Sequence, residues 1–450
     1  VEPTKSRIGL WCALVVVAAV APHVGHDAFV HDDHVVVEHN RQATWPPDLG
    51  ALWRGRWFGD GAAYRHVVVS RPLVMLSYSL EHGLGLGHPV ARHAVQLALY
   101  VALCLLAWGL LRRLAAAAGL AGVAGEHFAG AAALGFALHP THAEVVGSLA
   151  NRPEILALLC TLGATWLLLR LRVGEGSSGA ALGAVLLFGA GLWCKESALG
   201  AWLAWALWAW AARARRLFVP LAAMAGVAAA WLVWRKMAFG VLTAVGVPPT
   251  DNPLVLVPTG VRVLNALALG WRALHHLAWP SELAPDYTFA AWPALRQLNG
   301  EVAMGGLLAL AVLAGLAWAL RPARSASGDA VSEPLGRGEL LALGLAWTAA
   351  HWLPVSNLLF PSTVLFADRL LTASSLGVAV LLALPLTAAP SPGPTRLLRW
   401  LPLLVVTPLW LGWTWQLGRQ VWVADGPLFE AGVARQPNSV RMRYDLAFWQ

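Results

Sequence analysis

Charge is what this 450-residue chain has least of. Asp, Glu, Lys and Arg make up 12% of it against 58% apolar residues. With a mean hydropathy of +0.59, that leaves too little polar surface for a water-soluble body of this size, so most of the chain has lipid as its solvent. Cysteine is nearly as scarce. Cys12, Cys104, Cys160 and Cys194 fall inside or at the end of apolar runs with no paired spacing, which suits small core residues and excludes a disulfide framework or a zinc-finger pattern. A His-Glu-x-x-His motif is missing. No small-residue cleavage site follows the first apolar run, Ile8 to about Val24, so this run, preceded by Lys5 and Arg7, is expected to be an uncleaved span. The net charge of +8 does not indicate nucleic acid, because the Arg residues cluster at the ends of apolar runs.

What is present is a succession of apolar segments. After the first come Arg92 to Leu111, His127 to Leu138, Ile155 to Leu171, Ala180 to Trp193, Ala198 to Ala212, Leu217 to Trp234, Val302 to Leu320, Leu340 to Leu353, Val364 to Leu386 and Leu397 to Leu417. They predict an all-α polytopic membrane protein of about eleven transmembrane helices. Lys5/Arg7, Arg112/Arg113, Arg170/Arg172, Arg213/Arg215/Arg216, Arg321/Arg324/Arg337 and Arg396/Arg399 recur on alternate crossings, which makes that face cytoplasmic. Arg235 and Lys236 oppose the rule. Val261 to Trp279, interrupted by Arg262, Arg272, His275 and His276, is expected to be re-entrant or interfacial, since a full span there would invert everything after it.

In this topology the polar stretches that are not simple connectors share the outer side. They are the loop from His31 to about His88, His139 to Glu144, Asn151-Arg152, Lys195-Glu196, Asp286-Tyr287 and Arg369, while the inner loops, such as Gly174 to Gly179 and Ser325 to Gly328, are short. Ionisable groups at a membrane boundary cost too much to desolvate idly. Asp32 or Asp33, held near lipid, can take a proton from a hydroxyl nucleophile. Arg152 and Arg369 suit a phosphate at the membrane surface, because guanidinium binds its oxygens two at a time; a lone Arg at a span end also reaches for lipid headgroups. His139, His142 and Glu144, at i, i+3 and i+5, meet on one face of a helix, and with His26, His31 or His34 they would supply metal ligands, although no closed ligand motif is present. Lys195-Glu196 equally suits a self-neutralising pair. Trp53 and Trp57, with Arg54, Arg56 and Phe58, have the pattern of a helix lying on the membrane.

The last thirty residues change character. Asp425 to Gln436 predicts a polar-faced helix stopped by Pro437, and Asn438-Ser439 caps a second with Tyr444, Leu446 and Ala447. The pair resembles the end of one tetratricopeptide unit and the start of the next. A single unit cannot bury its own apolar face, so either more repeats follow Gln450 or this end packs on the membrane domain.

Together these residues form a pattern: Phe29-Val30-His31-Asp32-Asp33 with Asn40, Arg71-Pro72-Leu73, His88-Pro89 and His93, His139-Pro140-Thr141-His142-Ala143-Glu144 with Asn151-Arg152, Lys195-Glu196, Leu283-Ala284-Pro285-Asp286-Tyr287, Pro354-Val355-Ser356-Asn357-Leu358 with Phe360-Pro361, Asp368-Arg369 and the terminal helices. In order and spacing it resembles the TMTC family, the transmembrane and tetratricopeptide repeat-containing O-mannosyltransferases. The resemblance implies a GT-C type glycosyltransferase domain over residues 1–418, with 31–91 as first outer loop, and the start of a tetratricopeptide region over 419–450. It implies transfer of mannose or a similar hexose from a polyprenyl-phosphate carrier to a hydroxyl acceptor, a protein or glycan, with Asp32 and Asp33 as the catalytic acids. Arg71, His139, His142, Glu144, Asn151, Arg152, Lys195, Glu196, Asp286 and Arg369 would bind the donor. Two departures stand out. The family's first motif commonly has Trp before the two acids where this chain has His31, and its Glu-Arg pair appears as Asp368-Arg369.

A leaving phosphate is already stable as an anion, so neither a metal nor another cofactor is expected. The partners expected are the lipid-linked sugar, its acceptor and the bilayer, with no nucleic acid. The Ala/Leu/Gly/Arg-rich composition suggests a bacterial inner membrane with the site facing the periplasm. A flippase of lipid-linked sugars is the first rival, but it should display internal repeats or broken helices in matching halves. A membrane-anchored tetratricopeptide scaffold is the second, and it gives no reason for acids and histidines to gather on one face.

Overall fold

The apolar runs become helices. The structure, a computed structural model, describes residues 14–23, 26–59, 67–120, 122–242, 246–319, 321, 335–387 and 395–450; Lys5, Arg7, Cys12, the first part of the expected first span, Arg324 and the loop Ser325 to Gly328 lie outside them. Among the described residues all regular structure is helical. A short apolar helix, α1 (Leu14–His23), leads into the first loop, which carries α2 (Leu49–Arg54) and α3 (Pro72–Gly83). Then follow α4 (Pro89–Ala117), α5 (Val123–Ala137), the single turns of α6 (Ala143–Gly147), α7 (Arg152–Arg172), α8 (Ser178–Cys194), α9 (Ala198–Ala211), α10 (Arg215–Phe239), α11 (Thr259–Ala278), α12 (Gly300–Ala319), α13 (Arg337–Trp352), α14 (Thr372–Ala383) and α15 (Thr395–Gln420). The chain closes on the hairpin α16 (Asp425–Arg435) and α17 (Val440–Trp449).

Five helical stretches are long and apolar enough to cross a membrane: Pro89–Ala117, Leu149–Arg172, Arg215–Phe239, Gly300–Ala319 and Asp368–Thr387. The chain is a multi-pass membrane protein. The core is built largely of small side chains, with Ala132, Ala164, Ala184, Ala201 and Ala204 fully enclosed around Phe128, Phe136, Phe188, Trp205 and Trp208. Small residues let helix backbones approach where lipid gives no hydrophobic drive. At the crossing of α13 and α14 a Cβ on Gly377 would stand 2.6 Å from the Gly344 carbonyl oxygen, so only glycine fits there.

Two expectations need correction. The span Val364 to Leu386 begins at Asp368, because residues 364–367 are non-helical: the Leu365 N–H donates to the Asp251 carbonyl (3.0 Å) and Phe366 and Ala367 are buried. Trp57 does not lie on the membrane. It is buried with Val36, Ala43, Leu52 and Tyr78, while Trp53 meets Trp193 edge-on at 4.5 Å. The segment from Val261 to Trp279 forms one helix, α11, which is not among the helices long and apolar enough to cross a membrane; it is held to α12 by Arg272 and Glu301 (2.7 Å) and buries Asn265, Leu269, Ala273 and His276. At the helix ends remote from the first loop, three Arg residues are paired with acids, Arg112 with Glu126, Arg113 with Glu175 and Arg172 with Glu339.

Candidate functional site

The acidic doublet is split by its own backbone. His31 sits at φ 52°, a left-handed conformation, the Asp33 N–H donates to the Val30 carbonyl (3.0 Å), and a wide helical turn, His34–Glu38, follows. Asp32 and Asp33 therefore face different surroundings. Asp33 is fully buried and accepts hydrogen bonds from Ser148 Oγ (2.9 Å), the Ala150 N–H (2.7 Å) and the Val30 N–H (3.3 Å). It staples the first loop to the chain entering α7. Burial raises its pKa to about 6, against the pull of those hydrogen bonds. Asp32 instead keeps 36% of its side chain exposed and lines a cleft.

That cleft, about 520 Å³ counted to its open mouth, is bordered by His31, Asp32, Glu144, Asn151, Asp286 and Arg369, with Trp422, Leu428, Arg441 and Met442 from the terminal segment. Glu144, on α6, is buried and accepts from the Arg369 N–H (3.0 Å) and its guanidinium. Burial raises its pKa in spite of Arg369. Asp286 accepts from Thr288 Oγ1 and N–H and from Ser439 Oγ (2.7 Å). Of the three carboxylates bordering the cleft, Asp32 alone accepts no hydrogen bond among the described residues. A second doublet is split in the same way. Asp368 turns inward to His276 Nδ1 and the Tyr287 hydroxyl, both at 2.8 Å, within an aromatic cluster that includes Trp292 and Phe366. Arg369 turns to the cleft.

The other expected residues fall into two groups. Asn151 borders the cleft and donates to the Glu144 carbonyl (3.3 Å). Arg71 lies outside its lining, partly buried, stacked over Trp57 (4.8 Å) and 3.9 Å from the half-exposed Glu196; its Nε has no partner, and it is near enough to feel Arg369 and Asp32. The remainder do not reach the cleft. His139 spans Leu277 carbonyl (3.0 Å) and Thr141 Oγ1 (2.8 Å), and His142 joins the Tyr100 hydroxyl (2.7 Å) to Ser375 Oγ (2.9 Å). Arg152 is fully buried against Glu81, Gln96 Oε1 (3.0 Å) and the Tyr78 ring (4.3 Å), and Lys195 is paired with Glu154. Among the described residues no group of three or more His, Cys, Asp or Glu is arranged to hold a metal ion.

Several residues at the cleft and around it were not anticipated. Arg441 lines it, and Ser439, Asp425 and Asp445 contact Asp286 or His31 on its border; all four belong to the terminal hairpin, whose sequence signals only helices. The hairpin packs on the membrane domain: the His31 N–H donates to Asp425 Oδ1 (2.7 Å), Arg441 pairs with Asp251 and stands 3.8 Å from Asp286, and Leu428, Phe429 and Met442 bury themselves with Val30, Leu283 and Trp422.

Comparison with known proteins places this arrangement. The chain is 25% identical over 373 residues, 70% of its length, to the Drosophila melanogaster protein O-mannosyl-transferase Tmtc3, of which the match covers 39%. It is 30% identical to Tmtc2 of the same fly over 310 residues, 64% of this chain and 31% of that protein, and 31% identical to Tmtc1 over 179 residues, 39% and 19% respectively. By sequence the chain is similar to TMTC proteins over much of its length. It spans well under half the length of these TMTC relatives. No family model matches it, and no solved structure does.

Proposed function

We propose that the chain is a membrane glycosyltransferase that moves mannose or a similar hexose from a polyprenyl-phosphate carrier to a hydroxyl, such as a protein Ser or Thr, on the non-cytoplasmic side. The observation that carries the reading is the free Asp32 carboxylate facing Arg369 across one cleft at the end of a helix bundle. A transfer of this kind asks for a base, a cation for the leaving phosphate, and walls that exclude water. Asp32 accepts the proton of the attacking hydroxyl as its oxygen bonds to the anomeric carbon and the carbon to phosphate-oxygen bond breaks. Arg369, shared with Glu144, and Arg71 near it, receive the charge left on the lipid phosphate. Single displacement inverts the anomeric carbon. No resident metal or other cofactor enters this scheme.

The TMTC relatives are named O-mannosyl-transferases, which supports the sugar and the hydroxyl acceptor. On this reading the shorter apolar helices complete a set of about eleven crossings, and α16 and α17 begin a tetratricopeptide region. Composition favours a bacterial inner membrane with the cleft toward the periplasm. The test is turnover of purified protein with polyprenyl-phosphate mannose and candidate acceptors. The Asp32→Asn variant should lose about 10²-fold or more in kcat with its melting temperature unchanged. Unchanged turnover sinks the reading.

A further inference from the structure

The residue that departs from the family pattern, His31, is also the one that joins the cleft to the terminal hairpin. Its ring lies between two carboxylates from opposite walls: Nδ1 is 3.5 Å from Asp32 Oδ1, and Nε2 is 3.7 Å from Asp445 Oδ2 of α17. The backbone of the same residue is clamped to α16, where Asp425 Oδ1 accepts its N–H (2.7 Å) and Phe429 meets the ring edge-on at 6.0 Å. Asp425 also takes His34 Nε2 through its other oxygen (3.0 Å). The left-handed backbone at His31 (φ 52°) is one that a non-glycine residue holds only when its surroundings fix it. The hairpin supplies that fixing.

We propose that His31 is a positioning residue: as an imidazolium bridging Asp32 and Asp445, it orients the Asp32 carboxylate and makes that orientation depend on the hairpin being seated. This rests on Asp32 being the base of the proposed transfer. The groups facing the ring are Asp32 on its own turn, Asp445 and Arg441 on α17, and Asp425 on α16. Their balance favours the cation. Desolvation and Arg441 oppose protonation, but the two carboxylates outweigh them and raise the pKa of His31 to about 9.

The coupling can be read without turnover. Histidine-selective isotope labelling of the full chain in nanodiscs, with His31→Gln to assign the signal, gives the titration of His31 directly by NMR. It should stay protonated through neutral pH and lose its proton near 9. Its midpoint should fall by about one unit or more in both Asp445→Asn and Asp32→Asn. Titration near the ordinary imidazole value, or a midpoint that ignores Asp445→Asn in a variant that melts like the parent, overturns the proposal. Turnover then separates the two readings. If transfer occurs, the alkaline limb of kcat/KM should move to lower pH in Asp445→Asn, and an unmoved limb also overturns the proposal. If no transfer occurs with any donor, the function fails while the titration still decides the coupling.

Discussion

Arg152 gives the sharpest test of how the charges are sorted. Its place beside an apolar span suggests a phosphate ligand, yet its side chain is fully buried and every nitrogen is used: Nε donates to Gln96 Oε1 (3.0 Å), Nη1 to Glu81 and to Ser77 Oγ (3.3 Å), and Nη2 to the Arg92 carbonyl (3.3 Å). Glu81 divides its carboxylate between Arg152 and Arg92, the latter at 3.4 Å. Arg152→Met keeps the length of the side chain and removes the charge. The change leaves Gln96 and the Arg92 carbonyl short of a donor and reduces Glu81 to its longer contact. Removing one partner of a buried pair costs about 3–5 kcal/mol, or at least a hundredfold in the folding equilibrium at about 1.4 kcal/mol per decade. Denaturation in detergent should show the loss, while KM for the lipid-linked donor in the surviving protein stays unchanged. The Glu81→Gln and Arg152→Met pair should couple by about 1–3 kcal/mol in a double-mutant cycle. A variant that melts like the parent but has a raised KM would refute the assignment and return Arg152 to the donor site.

Other consequences can be measured separately. The folded pKa of Asp33, about 6, lies above its ordinary 3.8, so the protonated form favours folding; this contribution is full below about pH 4 and is lost as pH rises through 6, on the order of 3 kcal/mol. Melting curves of wild type and Asp33→Asn should therefore diverge between pH 4 and 7, with the wild type losing ground, and parallel curves would contradict the burial argument. Ser439 both caps α17, accepting from the Met442 N–H (3.2 Å), and donates to Asp286 (2.7 Å); Ser439→Ala should cost about 1–2 kcal/mol, seen as faster hydrogen exchange confined to 425–450, and unchanged exchange there would show the hairpin is held by other contacts. Single cysteines at the exposed Ser281 and Ser178 should label from opposite faces of sealed vesicles, and labelling from one face would overturn the sidedness.

The sequence discloses charge where apolar runs end, and that was enough to bring Asp32, Glu144, Asn151, Asp286 and Arg369 into one group. It does not disclose direction. Whether Asp32 or Asp33 faces the cleft depends on a left-handed residue at His31 and on partners at Ser148 and Ala150, more than a hundred positions away. The histidines were misleading for a related reason: His139 and His142 sit beside a helix end, where an imidazole satisfies backbone and hydroxyl groups as readily as it binds a ligand. Arg441 and Asp445 gave no signal because polar residues on an amphipathic helix are ordinary until something packs against them.

One rule sorts most of these groups. A buried acid next to a helix end is held by the backbone donors that the end leaves unsatisfied: Asp33 takes the Ala150 N–H and Glu144 the Arg369 N–H, while Asp286 takes the Thr288 N–H in a local turn. Such carboxylates have their oxygens occupied by donors of the protein itself. Asp32 borders the same cleft without that commitment, and its near neighbour is a histidine ring at 3.5 Å, too far for a hydrogen bond and near enough for charge. A carboxylate left open beside lipid would be costly by itself. On the proposed reading the His31 cation lowers that cost without occupying the oxygens, which leaves Asp32 available to a substrate.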